Sequence, residues 1–247
     1  MPLVEVCVEG IDGARVAEAA GADRVELCAS LLEGGLTPSL AMIELAIAGV
    51  DIPVFAMIRP RGGDFLYSEQ EFACMLADVR TCRRCGVPGV VFGCLTADGE
   101  IDEARMIALV EAADGMSTTC HRAFDMARDL DEAMDTLIRC GIDRVLTSGG
   151  CETALEGTAR LRHLVDRAAG RIKVMACGGL DAGNIAQVRD ETGAPELHFA
   201  ALRTVPSGMT WRNRYIGMGG TQKAREYELT VTDGAAVAAT IAAARAK

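Results

Sequence analysis

The 247-residue chain has 25 basic and 35 acidic side chains, a formal charge of −10. That balance argues against nonspecific nucleic-acid binding, where clustered Lys and Arg must neutralise phosphates. Half the residues are hydrophobic but only 4% are aromatic, a composition that suits helices packed closely on a sheet.

Short β-branched runs recur along the chain, each followed by a turn and an amphipathic stretch. The first, "LVEVC" (3–7), alternates so that Val4 and Val6 face one side while Glu5 and Cys7 face the other. The second, "DRVELC" (23–28), places Glu26 and Cys28 in the same way. A helical pattern at 38–48 leads into "VFAMI" (54–58), which ends in "RPRGGDF". On the same alternation Arg59 points inward and Arg61 lies just beyond it. Arginines there can neutralise Glu5 and Glu26, which are costly to bury ionised and unpaired, and Asp64 can pair with one of them. The glycines allow a turn and a close approach to the backbone.

A helical pattern at 69–85 contains "CRRC" (82–85). With no second C-x-x-C and no adjacent histidine, it does not complete a zinc set and reads as structural. "GVVFG" (89–93), a helix at 102–113 and "STTCH" (117–121) follow, with His121, Arg122 and Asp125 together in "HRAFD". A helix at 130–140 precedes "RVLTS" (144–148), and the next, at 153–168, carries His163 on its surface. After "IKVMAC" (172–177), Gly178 and Gly179 resemble a phosphate-binding turn, in which backbone amides and a helix N-terminus hold an anion. A helix at 181–190 leads to "ELHFA" (196–200), where His198 reads as a hydrogen-bonded core histidine. Residues 203–231, with Trp211, Arg212, Arg214 and Tyr215, read as one long irregular loop, either a lid or a solvated excursion. An Ala-rich helix closes the chain after "VTDG", capped by Thr232 or Asp233.

Eight strands alternating with eight helices predict an α/β fold, a (β/α)8 TIM-type barrel forming a single domain over residues 1–247. Neither a G-x-G-x-x-G after the first strand nor a P-loop is present, which disfavours an open nucleotide-binding sheet. No charged leader with an apolar core opens the chain, and apolar stretches such as "AMIELAIAGV" are broken by charge well short of a membrane span. Ten cysteines, several inside strand-like runs, fit buried free thiols in a reducing compartment. A cytoplasmic protein with no nucleic-acid or membrane partner is expected.

In such a barrel, chemistry sits where strands end. Glu26, Arg59, His121 and Asp125 are the catalytic candidates if the protein is an enzyme. Arg61, Gly178 and Gly179 are candidates for an anion site, and Cys7 with Cys28 for a soft metal. Each group also has a plain structural reading, as a satisfied internal network or as small residues filling the barrel.

Taken together, "EVC", "GADRVELC", "EGGLTPS", "IRPRGGDFLYS", "HRAFDM", "RVLTSG" and "VTDG" make the chain resemble the CutC copper homeostasis family, from residue 3 to about 235. The resemblance implies a (β/α)8-type barrel, a cytoplasmic location and a homo-oligomer (a dimer or tetramer). It also implies a role in copper handling, with Cys7 and Cys28 as Cu(I) ligands. Cys120 and Cys177 depart from the phenylalanine and glycine of some relatives, and "LHFAA" departs from a more polar final strand.

Two functions follow. One is Cu(I) binding through thiols at the barrel mouth. The other is an enzyme acting on a small anionic metabolite, phosphorylated or carboxylated. There Arg59 and Arg61 would hold the anion with help from the amides near Gly178 and Gly179, and His121 or Glu26 would move protons.

Overall fold

The computed structural model describes residues 1–213, 215–217 and 226–246. Eight parallel strands close into a barrel in chain order: β1 (Leu3–Glu9), β2 (Arg24–Cys28), β3 (Val54–Met57), β4 (Gly89–Phe92), β5 (Ser117–Cys120), β6 (Arg144–Thr147), β7 (Lys173–Ala176) and β8 (Glu196–Phe199). Helices α1 (Gly10–Ala19), α2 (Leu40–Gly49), α3 (Glu69–Arg84), α4 (Glu103–Ala113), α5 (Leu130–Arg139), α6 (Thr158–Ala168), α7 (Ile185–Thr192) and α8 (Gly234–Arg245) alternate with them. This is the (β/α)8 barrel that the alternation predicts.

Local chemistry sets the helix boundaries. Ser68 and Glu71 form a reciprocal capping box at the start of α3. Asp129 accepts from two amides at the start of α5, and Asp233, rather than Thr232, caps α8 through Ala235 and Ala236. Two helices begin later than their patterns suggest. The chain before α6 is held against the β7 loop, with the Ala154 amide donating to Gly178 O at 2.9 Å. Before α7 an Asx turn intervenes, the Asp181 carboxylate accepting from Gly183 N at 2.7 Å.

The segment expected to be irregular is strand at both ends. β9 (Leu202–Pro206) pairs antiparallel with β10 (Glu228–Thr232), two alternating runs that the sequence reading passed over. Arg214 and residues 218–225 lie outside the described residues. Trp211 and Tyr215 are exposed, and the Arg212 guanidinium packs 4.3 Å from the Tyr227 ring.

Side-chain alternation divides the core in two. Val6, Val25, Ala56, Val90, Val145 and Leu197 face outward into the helical layer. The inward set is quite different. Cys7, Cys28, Phe55, Met57 and Val91 form one apolar group inside the barrel, and Leu146, Met175 and Cys177 form another. Between them lie buried charges. Cys120 belongs to the outer layer, so it does not add a thiol to the mouth. In "CRRC", Cys82 is buried, Cys85 half-buried and nearby Cys74 exposed; burial pushes the Cys82 thiol up to about 12. Among the described residues, no helix is long and apolar enough to cross a membrane.

Candidate functional site

The barrel floor is a chain of buried ions. Register places Glu5 opposite Arg24 on one side and opposite His198 on the other. The Arg24 Nε donates to Glu5 and its Nη2 to Glu196 at 2.6 Å. Arg144 clamps Glu196 from the far side at 2.5 and 3.0 Å. Phe55 lies under both guanidinium groups, 4.6 Å from Arg24 and 5.4 Å from Arg144. Glu5 is thus neutralised by Arg24 and His198, not by Arg59 or Arg61 as the sequence suggested. Burial alone would raise the Glu5 pKa, but the His198 hydrogen bond and the Arg24 charge bring it down to about 2.

Above this floor stands His198. Its Nδ1 meets Glu5 Oε1 at 2.7 Å, and its Nε2 faces Glu26 Oε2 at 3.8 Å. Burial opposes its charge, yet Glu26, Cys7 and Glu5 hold its pKa well above the ordinary histidine value. The expected core histidine is therefore the hub of the mouth. Glu26 is raised, chiefly by burial and further by Glu5, with the His198 charge opposing. Its Oε1 is buried with no hydrogen-bond partner among the described residues.

The two thiols do converge, their Sγ atoms 3.7 Å apart. Cys7 lines the mouth cavity, whereas Cys28 lies fully buried behind it, 3.6 Å from Glu26 Oε2. Cys7 is raised by its bond with Cys28 and by burial. For Cys28 the Cys7 bond lowers the pKa, but burial and Glu26 outweigh it and push the thiol up to about 11. A thiol of Cys7, a carboxylate oxygen of Glu26 and a ring nitrogen of His198 lie within 4.8 Å of one another. These three residues could hold a metal ion, and Cys28 stands next to the group against the Cys7 sulfur.

Opposite them is a wall built on the β3 and β5 ends. Arg59 donates to the carbonyls of Glu33 (2.7 Å), Gly35 (3.2 Å) and Gly63 (2.9 Å), and lies 5.1 Å from the Phe65 ring. The same ring stacks obliquely on His121 at 4.9 Å. His121 Nδ1 accepts from Ala123 N at 3.1 Å, so the neutral ring carries its proton on Nε2, which is buried and unpartnered among the described residues. Burial and the nearby Arg59 charge lower its pKa to about 3. At neutral pH His121 is a hydrogen-bond donor, not a base. Gly93 makes room for it, since a Cβ there would come within 2.8 Å of the imidazole.

The remaining candidates separate. Asp125 is consumed as a brace: it accepts from Thr147 Oγ1 (2.5 Å), Gly150 N (3.0 Å) and Arg122 Nε (2.8 Å), and from Ser148, tying down the "TSGG" turn. Arg61 turns outward to Asp64 (2.9 Å) and Glu71 (2.7 Å) and lines neither mouth cavity. Gly178 and Gly179 border a smaller cavity of about 240 Å³ with Arg122 and His198, so Arg61 and the two glycines do not form one anion site. The main cavity, about 790 Å³, brings together Cys7, Glu26, Arg59, His121, Asp125 and His198. Sequence reasoning missed Arg24, Arg144, Glu196 and the role of His198. One signal was available: "GADRVEL" and "GIDRVLT" place an arginine at the same point of two strands, and both point into the barrel.

With this geometry in view, relatives are decisive. The CutC family model matches residues 2–203. The chain belongs to the CutC family. It is 60% identical to a CutC family protein of Mesorhizobium japonicum, covering all of this chain and 95% of that one. It is 46% identical to the human copper homeostasis protein cutC homolog, over 94% of this chain and 85% of that one. Among solved structures, a CutC protein from Streptococcus agalactiae superposes with a TM-score of 0.77 at 34% identity, covering 80% of this chain and 98% of its own.

Proposed function

We propose that this CutC family member binds Cu(I), as cargo, at the barrel mouth through Cys7 and Cys28, with His198 Nε2 as a third donor. The observation that carries the reading is the oriented histidine. Its Nδ1 is tied to Glu5, the arrangement by which metal-binding imidazoles are held with the other nitrogen toward the ion, and Nε2 becomes a ligand when the ion displaces its proton. Two thiols and an imidazole suit a soft monovalent ion, while the hard Glu26 carboxylate suits it less. Glu26 instead stands where it can take the proton that Cys28 gives up on binding, while the Cys7 and His198 protons pass to solvent through the mouth that both residues line. The copper homeostasis name of the human relative supports the same reading. A cytoplasmic location accords with ten free cysteines.

The test is an anaerobic Cu(I) titration against a competing chelator, on wild type, the Cys7→Ser/Cys28→Ser double variant and His198→Gln. One-to-one binding is expected, lost in the double variant and weakened in His198→Gln. Binding unchanged by the paired serines sinks the site.

A second reading is favoured by one observation, the raised Glu26 carboxylate with a free oxygen on the cavity floor. Such a group is what an acid–base enzyme acting on a small anionic metabolite would use.

A further inference from the structure

We propose that the wall formed by Arg59 and His121 is a binding site for the oxyanion of a small hydroxylated organic acid or phosphate ester, with Glu26 receiving the ligand's hydroxyl. The proposal rests on the enzyme reading for its biological sense but concerns binding alone.

The charge of Arg59 is the starting point. The side chain is 6% exposed, and its guanidinium is fixed by three backbone carbonyls and an aromatic face. Among the described residues, no carboxylate pairs with it, although every other deeply buried arginine has one: Arg24 holds Glu5 and Glu196, and Arg144 holds Glu196. Carbonyl dipoles orient a guanidinium but do not neutralise it, and a buried permanent cation calls for an anion. The fork geometry of the group matches a carboxylate or phosphate.

The wall's polar atoms point to the same class. His121 Nε2 is a buried donor without an acceptor among the described residues, and Arg59 Nε makes no hydrogen bond of good geometry there, although its side chain interacts with the neighbouring Tyr67 hydroxyl. Buried donors are rarely left unpaired unless a missing partner supplies the bond. Phe65 braces both side chains, and burial keeps His121 neutral, so it donates without competing as a base for the ligand's proton. The third unpartnered group in the cavity, Glu26 Oε1, is an acceptor. One ligand that completes all three has an anionic oxygen at one end and a hydroxyl at the other. Apolar Leu31, Met57, Leu95 and Leu146 line the same cavity, which leaves room for a short carbon skeleton.

The experiment is calorimetric titration of the intact chain with glycolate, glycerol 3-phosphate and inorganic phosphate. Glycolate or glycerol 3-phosphate is expected to bind more tightly than inorganic phosphate, which brings no carbon-borne hydroxyl. The first two probes separate a carboxylate from a phosphate ester. His121→Phe, which keeps the ring and removes the donor, weakens binding about 10- to 100-fold, the range for a hydrogen bond to a charged group. The His163→Gln surface control leaves it unchanged. Arg59→Met also weakens binding. Because Arg59 holds two loops and that variant can misfold, a wild-type measurement stands beside it: in ¹⁵N-histidine spectra the ligand moves the Nε2 resonance of His121 and not that of His163. No binding by any probe at millimolar concentration overturns the site, as does binding that His121→Phe leaves intact. Binding without turnover of any probe leaves this site standing and counts against the enzyme reading alone.

Discussion

Arg24→Met tests whether the buried ion chain is what holds the mouth in shape. Arg24 is 4% exposed at its side chain and bridges two carboxylates, Glu5 and Glu196, that no other single residue joins among the described residues. Methionine keeps most of the volume and the packing on Phe55, so the loss is mainly electrostatic. Removing one partner of a buried ion pair costs about 3–5 kcal/mol. Here each carboxylate keeps a second partner, His198 for Glu5 and Arg144 for Glu196, which places the loss near the low end, about 3 kcal/mol. For a chain of this size that lowers Tm by roughly 6–12 °C. Pairing the change with Glu5→Gln removes the stranded charge, so the double variant should be more stable than the sum of the singles by about 1–3 kcal/mol. Thermal and urea unfolding of the four proteins measure both figures. A functional consequence is expected as well: a loosened Glu5 no longer orients His198, and Cu(I) affinity falls about 10- to 100-fold. A Tm drop of only a degree or two, or strict additivity in the cycle, would falsify the reasoning.

Two further outcomes follow from the same geometry. His121 titrates near 6.5 when unfolded but only at about 3 when folded, so the unfolded chain takes up its proton first as pH falls. The stability it contributes is complete above pH 6.5 and is lost progressively toward pH 3; by pH 4.5 the loss is about 3 kcal/mol. The raised Glu26 acts in the opposite sense over part of that window, so the measurement is the difference between wild type and His121→Phe in urea midpoints from pH 7 to 4.5. Parallel curves would show that His121 is not buried neutral. The chain is also expected to form a homo-oligomer through the segment beside the β9–β10 ribbon, where Met209, Trp211 and Ile216 are more than half exposed. Light scattering should give a dimer or tetramer that Trp211→Glu converts to monomer, and a monomeric wild type would end the idea.

The fold was legible because barrel formation is written in periodicity. "LVEVC" alternates, "VFAMI" and "RVLTS" are short β-branched or apolar runs that end in turns, and each became a strand within two residues of its expected bounds. The site was legible only in part. Alternation correctly turned Glu5, Cys7, Glu26 and Cys28 inward, and order along the sheet made β1 and β2 neighbours. Arg59 was placed at the mouth, but its partners were misread, because carbonyls of residues 33, 35 and 63 compete for a guanidinium and leave no trace in the sequence. Arg61 escaped for the opposite reason: with two acidic groups close by in the chain, Asp64 and Glu71, it satisfies itself at the surface.

The sequence by itself determined the alternation of strands and helices, the inward faces of the strands and membership of the family, since these depend on local pattern and order. Tertiary structure alone decided the chemistry of the mouth. Closure of β8 on β1 set His198 beside Glu5 across 193 positions of chain, and the Glu196 clamp joins residues 172 and 52 positions apart. The protonation of each group follows from which charges stand within a few ångströms of it in a dry interior. That is a property of closure, and no window of sequence contains it.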